Sequence, residues 1–289
     1  MKFKLKFFCA ILTVMLLIPN TFTFAQNIDV NDYSTMSFEQ LSKNNNSWET
    51  NELLEIKKNK LKSPCQLRSA GFDNERIQKI EEFSISGLFD KYSEADFYQM
   101  GYNKQDINLL KKYKDTEFVN IPDNVLARSG ARARVSLDKS SYHVGKDYTT
   151  AAVTAKWAWN KAPFCAGQDG LGFEWGGNFS TDVNDSSVKV EWVNRNGGLM
   201  DRATYDVDKH APNKGCGFSW SQGSHLGITQ GVAVVHISNY NGQVKDFEVT
   251  VDYLHSTKSS SWSFCWPLGV CVSQTSGLSK MDHKRVRFR

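Results

Sequence analysis

The stretch Ala151-Ala-Val-Thr-Ala-Lys-Trp-Ala-Trp159 indicates the fold class of this chain. Apolar residues recur at every second position from Val153 to Trp159, and that period places their side chains on one face of a β-strand. The same alternation returns over 188–192 and 247–253, and clusters rich in Gly and Asn separate the runs. From about residue 131 onward, the sequence therefore predicts an antiparallel sandwich or barrel of about nine or ten strands.

Residues 26–127 have apolar residues at helical spacing instead. A Gly-aromatic-Asp/Asn corner occurs twice, at 71–73 and 101–103, each time before an apolar helical pattern. The Asp or Asn is expected to be a helix N-cap, the aromatic residue to pack on the first turn, and the glycine to end the preceding helix. We predict a small bundle of three or four helices here. With a β-sandwich over 135–289, the chain belongs to the α+β class.

The first 25 residues have the features of a secretory signal peptide. Lys2, Lys4 and Lys6 precede an apolar run over 7–18, and small residues occupy the −3 and −1 positions before a cut after Ala25. The run is shorter than the roughly 20 residues needed to span a bilayer. We therefore expect cleavage after Ala25 and a secreted, extracellular protein.

Charge is divided unevenly along the chain. Residues 26–130 carry 14 Lys+Arg and 17 Asp+Glu, whereas residues 131–289 carry 18 and 14. Opposite charges favour either a contact between the helical and β regions or two different partners. Between them, the small, basic segment 128–134 contains Arg128, Arg132 and Arg134. We interpret it as an ordinary interdomain linker or as a processing site that would release 26–127 as a pro-region.

Five cysteines follow the expected cleavage site. Four of them, Cys165, Cys216, Cys265 and Cys271, lie in the β region, and an even number in an oxidising compartment favours two disulfides. We favour Cys265–Cys271, which flank a hairpin tip, together with Cys165–Cys216; the other two pairings remain open. Cys65 is left over and is expected to be a buried thiol, with an intermolecular disulfide or a free reactive thiol as alternatives.

Motifs for a specific reaction are absent from the sequence. It contains no GxSxG, HExxH or P-loop pattern, so we predict no catalytic residues, metal site or cofactor. Glu174 and Glu191 each adjoin a tryptophan, which fits either a glycosidase pair or two strand residues directed away from a tryptophan core. The acidic clusters at 182–185 and 201–208 fit calcium loops or solvated turns.

Two stretches near the C-terminus are the candidate contact surfaces. The first is an aromatic strand and hairpin tip that comprises Trp262, Phe264, Trp266, Leu268 and Val270. It is core if it faces inward, and a membrane or partner contact if it is exposed. The second is a basic strand face that comprises Arg285, Arg287 and Arg289. Such a face suits an anionic membrane surface or an anionic cell-wall polymer.

Two motifs carry a family resemblance. They are Met100-Gly101-Tyr102-Asn103 leading into 107–111, and the segment 156–161 with Pro163-Phe164. In this layout the chain resembles uncharacterised exported proteins of Gram-positive bacteria that join a short helical region to a C-terminal β-sandwich. The resemblance implies that architecture and assigns no role to any residue.

Two functions fit these observations. The first is a secreted, non-catalytic exoprotein whose β-sandwich binds a glycan, a cell-wall polymer or a protein. The second is a membrane-active toxin or bacteriocin-like protein, masked by 26–127 until the segment 128–134 is cut. We favour the first, expect no enzymatic activity, and expect no nucleic acid as a partner.

Overall fold

The computed structural model describes residues 29–43, 51–165, 167–222, 226–256 and 279–289. Helices form the first part of the chain and two antiparallel sheets form the second, which confirms the predicted α+β class and β-sandwich. The predicted signal peptide, with its cleavage residue Ala25, lies outside the described residues. Within these ranges, no helix combines the length and the apolar character that crossing a membrane requires.

Eight short α-helices, rather than the predicted three or four, lie in the described part of the helical region. They are α1 (Phe38–Ser42), α2 (Glu52–Lys60), α3 (Pro64–Ser69), α4 (Asn74–Glu82), α5 (Ile85–Lys91), α6 (Glu94–Gln99), α7 (Lys104–Lys112) and α8 (Asp123–Ser129), with 3₁₀ turns at Val30–Asp32 and Phe118–Asn120. Seven of the eight begin at a Ser, Asp or Asn whose side chain accepts a backbone N–H. These caps start new helices in quick succession, which apolar spacing alone does not reveal.

Both predicted helix corners are confirmed. Asp73 accepts the backbone N–H of Arg76 at 2.9 Å, and Asn103 accepts that of Asp106 at 2.9 Å. The preceding aromatic side chains are buried. Gly101 has φ +90°, a conformation that L-residues with a Cβ adopt only at a cost. Each corner therefore ends one helix and starts the next within three residues.

The β region contains ten strands among the described residues. They are β1 (Ala133–Val144), β2 (Thr149–Trp159), β3 (Gln168–Trp175), β4 (Ser180–Val193), β5 (Leu199–Asp206), β6 (Lys209–Ala211), β7 (Gly215–Ser221), β8 (Ile228–Asn239), β9 (Phe247–Ser256) and β10 (Ser279–Phe288). Sheet A has the order β1-β2-β8-β4-β5, and sheet B has the order β10-β9-β3-β7-β6. Neighbouring strands are antiparallel in both sheets.

Aromatic side chains fill the space between the two sheets. Trp157 of sheet A stacks on Trp220 of sheet B, with ring centroids 4.8 Å apart, and Tyr253 lies 6.2 Å from Trp157. Every second residue from Val153 to Trp159 belongs to this core, as the alternation predicted. Large aromatic rings bury much apolar area for each residue, so they dominate the packing of the sandwich.

The segment 128–134 is not the exposed linker that the sequence suggested. Arg128 is exposed at the end of α8, but 129–131 are buried, Arg132 is half-buried and Arg134 lies within β1 with 4% of its surface exposed. The backbone N–H of Glu52 donates to the carbonyl of Ala131 at 3.0 Å. The small residues of this segment, which suggested a linker, occupy core positions instead. The chain therefore passes directly from α8 into β1.

Two buried carboxylates join the helices to the loop after β2. Asp106 of α7 forms an ion pair with Lys161 at 3.0 Å. Glu52, the first residue of α2, accepts the backbone N–H groups of Phe164 at 3.0 Å and Cys165 at 2.7 Å. The expected contact between the acidic helical region and the basic β region is therefore present, as a buried junction.

Candidate functional site

The structure separates the predicted contact residues. The aromatic surface at 262–270 and the Cys265–Cys271 pair lie outside the described residues. Arg285, Arg287 and Arg289 are exposed on or beside β10, the edge strand of sheet B. However, Arg287 forms a bidentate ion pair with Asp246, at 2.7 and 2.6 Å. One of the three positive charges is therefore already balanced, and the basic face is smaller than the sequence indicated.

The predicted Cys165–Cys216 disulfide is wrong, because both cysteines are free. Cys165 packs against the helical core, whereas Cys216 is enclosed in the core of the sandwich. Burial raises the pKa of both thiols, so they stay protonated at neutral pH. Cys65, which was expected to be buried, is exposed on α3. An even count of cysteines in an oxidising compartment favours disulfides, but it does not show which cysteine side chains lie close enough to form one.

The two glutamates beside tryptophans do not form a catalytic pair. Glu174 lies in sheet B and Glu191 in sheet A, each between two buried strand residues, so the side chains point outward on opposite faces of the sandwich. Glu191 binds Arg202 at 2.7 Å and Thr35 at 2.7 Å. A glycosidase needs its two carboxyl groups across one cleft. The alternative interpretation, strand residues directed away from a tryptophan core, is confirmed.

A polar cleft lies where α1, the helix corner at Gly101 and the β4–β5 turn meet. Its volume is about 430 Å³. The side chains that give the cleft its chemistry are Phe38, Glu39, Asn160, Arg195, Asn196 and Gln230. The cleft thus combines amide groups, one charge of each sign and an aromatic wall at the junction of helices and sandwich.

Hydrogen bonds hold the amide side chains of the cleft in place and leave part of each one available. The Asn160 Oδ1 accepts the backbone N–H of Arg132 at 2.7 Å. No described residue accepts a hydrogen bond from the Asn160 Nδ2. The Gln230 Nε2 donates to Thr35 Oγ1 at 2.8 Å and to Glu191 Oε2 at 3.2 Å. Its Oε1 is therefore the group left for a ligand, within the described part of the chain.

The β4–β5 turn presents two more polar side chains at the rim of the cleft. The Asn194 Oδ1 accepts the backbone N–H groups of Asn196 and Gly198, both at 2.9 Å, and these bonds close the turn. The Asn196 side chain is exposed. The Arg195 guanidinium lies 5.5 Å from the ring centroid of Tyr98, a cation–π contact with the helical region. Arg195 and Glu39 carry opposite charges, so the polar lining has no net charge.

A buried polar network supports the floor of the cleft. Trp159, which lines the cleft, donates its Nε1–H to Asp169 Oδ2 at 3.0 Å and to Tyr253 Oη at 2.8 Å. His255 Nδ1 lies 2.6 Å from Asp169 Oδ1. Burial disfavours the charged imidazole, but Asp169 and Glu52 together raise the pKa of His255 above its usual value. These hydrogen bonds hold the Trp159 indole in a fixed orientation beneath the cleft.

Sequence reasoning did not identify this cleft. The segment 194–198 is one of the Gly- and Asn-rich clusters between the predicted strands, and Gly101 belongs to a predicted helix corner, but nothing in the sequence indicates that they meet. Asn160 and Gln230 stand among ordinary strand and loop residues, 70 positions apart. A site formed by amide side chains from separate elements has no fixed spacing along the chain, so a single sequence does not reveal it.

Comparisons with known proteins identify no family for this chain. No protein-family model matches the chain, and no curated protein matches it. Among solved structures, it is similar to the collagen-binding domain of a Staphylococcus aureus adhesin, with 7% identity and a TM-score of 0.28, covering 50% of this chain and 95% of that one. It is also similar to the T6 backbone pilin of Streptococcus pyogenes, with 10% identity and a TM-score of 0.27, covering 55% and 35%.

A third similar structure is the enzymatically active domain of a tailspike protein from bacteriophage CBA120. The identity is 12% and the TM-score is 0.22, over 39% of this chain and 19% of that one. The chain therefore spans about a third of the pilin and a fifth of the tailspike domain. At these TM-scores, the likeness carries no argument about activity or ligand.

Proposed function

We propose that this protein is an extracellular binding protein that holds a neutral saccharide in the polar cleft. The observation that carries the proposal is that Asn160 and Gln230 both line one cleft of about 430 Å³, and that no described residue hydrogen-bonds to the Nδ2 of the first or the Oε1 of the second. A sugar hydroxyl both donates and accepts hydrogen bonds, and an amide side chain offers both functions. Phe38 supplies an apolar wall for the face of a sugar ring.

The charge and size of the cleft narrow the ligand class. Because Glu39 and Arg195 carry opposite charges, the lining favours a neutral ligand over an anionic cell-wall polymer. Small-molecule sites commonly enclose about 300–1,000 Å³, so this cleft is at the lower end of that range. It suits a short saccharide unit, bound at the end of a longer chain or free in solution.

The toxin hypothesis has less support. It needs 26–127 to separate from the β-sandwich, yet the Asp106–Lys161 ion pair and the Glu52 contacts to 164–165 are buried between the two. Separation would break this ion pair and these hydrogen bonds and would expose the shared apolar cluster to water. A stable junction of this kind is typical of one structural unit rather than of a detachable mask.

The test is a glycan array with the full chain, followed by calorimetric titration of the saccharide that binds best. Asn160→Asp keeps the acceptor for the Arg132 N–H and removes the Nδ2 donor. We expect about tenfold weaker binding, which corresponds to the loss of one hydrogen bond to a buried ligand. Asn241→Asp, in an exposed turn away from the cleft, is the matched control and should bind normally.

Two results would contradict the proposal. Undiminished affinity in both Asn160→Asp and Arg195→Ala would place the ligand elsewhere on the molecule. Failure to bind any saccharide, combined with leakage from anionic liposomes, would favour the membrane-active alternative.

A further inference from the structure

A second pocket, unrelated to the polar cleft, lies between α2, α4, α5 and the loop at 163–165. Its volume is about 320 Å³. The apolar side chains that line it are Ile56, Ile80, Phe83, Leu88 and Phe164. Four of the five are buried and Phe83 is half-buried, so packed helices and the loop at 163–165 hold the walls in place.

Phe164 and Cys165 line the side of the pocket formed by the loop at 163–165. Burial, reinforced by the Glu52 carboxylate, raises the pKa of the Cys165 thiol. A thiol with a raised pKa stays protonated and behaves as a small apolar group. An acyl chain that lies against Cys165 therefore meets a neutral thiol. The nearby Glu52 carboxylate accepts the backbone N–H groups of Phe164 and Cys165 and does not line the pocket.

Two lysines from different helices stand at the rim. Lys79 of α4 and Lys91 of α5 are both exposed and both line the pocket. Lys79 pairs with Glu75 at 3.0 Å, but both side chains are more than half exposed, and such a pair is easily exchanged for another anion. Lys91 lies 4.8 Å from the centroid of the Tyr92 ring. Glu82 is also on the rim, which leaves a net positive charge among the lining residues.

We propose that this pocket binds a medium-chain fatty acid. The alkyl chain lies along the apolar walls toward Phe164 and Cys165, and the carboxylate lies between the Lys79 and Lys91 ammonium groups. The apolar walls and the neutral Cys165 thiol complement the alkyl chain of a fatty acid, and the two lysines at the rim complement its carboxylate. The pocket is at the lower end of the usual size range, so it holds a short or medium chain rather than a full-length lipid tail.

The first test is calorimetric titration of the full chain with hexanoate, octanoate and decanoate. Each added methylene that is buried should tighten binding by about fourfold, until the chain exceeds the length of the pocket. Decanol, which has the same chain and no charge, serves as the neutral ligand. The double variant Lys79→Met/Lys91→Met keeps the aliphatic stems, and it should bind decanoate about tenfold more weakly while binding decanol normally.

Lys112→Met is the matched control for the lysines. Lys112 is also exposed, and its ammonium lies 5.9 Å from the ring centroid of the next residue, Tyr113, but it does not line the pocket. Its replacement should leave decanoate binding unchanged. Equal weakening by Lys112→Met and by the double variant would mean that the protein attracts fatty acids only through its general surface charge, and would overturn the proposed site.

The position of the chain is tested independently by cysteine alkylation. Peptide mapping by mass spectrometry, after timed treatment with N-ethylmaleimide, should show that decanoate slows modification of Cys165. Cys65 is exposed on α3 and is the internal control, whose rate should not change. Absence of binding at about 1 mM decanoate, or binding without protection of Cys165, would overturn the proposal.

Discussion

Lys161 holds a positive charge between the helices and the sandwich. Its ammonium binds Asp106 at 3.0 Å and the carbonyls of Arg128 and Ser129 at 3.3 and 3.1 Å. Burial lowers the pKa of Lys161, and the Asp106 carboxylate opposes that shift. The Lys161 side chain therefore connects the loop after β2 to the first turn of α7 and to the end of α8.

Replacing Lys161 should destabilise the protein far more than replacing an exposed lysine of the same kind. Lys161→Met leaves Asp106 as an uncompensated buried charge, so we expect the free energy of unfolding to fall by about 3–5 kcal/mol. Lys111→Met breaks a pair with Glu94 in which both side chains are about half exposed, and should cost less than about 1 kcal/mol. Urea unfolding of both variants measures the difference, and equal losses would contradict a buried role for Lys161.

At the scale of single strands, the pairing of β2 with β8 depends on one small residue. Gly231 lies opposite Trp157 in the register, and the indole occupies the space that a side chain at 231 would need. A Cβ there would overlap the ring and also approach the Lys189 carbonyl of β4. The tryptophan stack between the sheets is therefore possible only because β8 has no side chain at this point.

Gly231→Ala should be strongly destabilising for this reason. We expect a loss of about 2–4 kcal/mol in the free energy of unfolding, because the added methyl group has no space in a packed core. Gly176→Ala, where an added Cβ would meet nothing within 4 Å, should change stability by less than about 0.5 kcal/mol. Combining Gly231→Ala with Trp157→Phe should recover part of the loss in thermal melts; a purely additive double variant would argue against the clash.

Across the whole molecule, the helices and the sandwich share one continuous junction. Ala162 and Phe164 of the β region belong to the apolar cluster of the helical region. The segment 29–43 also crosses the outer face of sheet A, where Val30 packs on Val232 and Val234. Contacts of this extent predict that the two regions unfold together rather than as separate domains.

Limited proteolysis of the native protein tests whether the helical region and the sandwich form one structural unit. Trypsin should not release a stable fragment that starts between 129 and 135, because Arg134 is buried in β1 and 129–131 are buried before it. A single calorimetric transition should accompany this resistance. Rapid cleavage after Arg128, Arg132 or Arg134, leaving a folded β fragment, would contradict the continuous junction and would restore the processing hypothesis.

Predictions that depend on neighbouring residues agree with the structure. The alternation at 153–159, the caps at Asp73 and Asn103 and the glycine at 101 are all as expected. These features arise from interactions between residues two to four positions apart, so the local order of side chains is enough to specify them. The number of helices was wrong, because caps divide one apolar pattern into several short helices.

Contacts between residues that are far apart in the sequence depend on tertiary packing. Glu52 reaches Cys165 across 113 positions, and Thr35 reaches Glu191 across 156. Local patterns say which face of an element is apolar, but not which other element will cover it. Which cysteines share a core, whether 128–134 is exposed, and where the polar cleft forms are therefore properties of the assembled tertiary structure. Composition and periodicity determine the secondary structure and class of this protein, whereas long-range packing of helices on the sandwich creates both of its candidate binding sites.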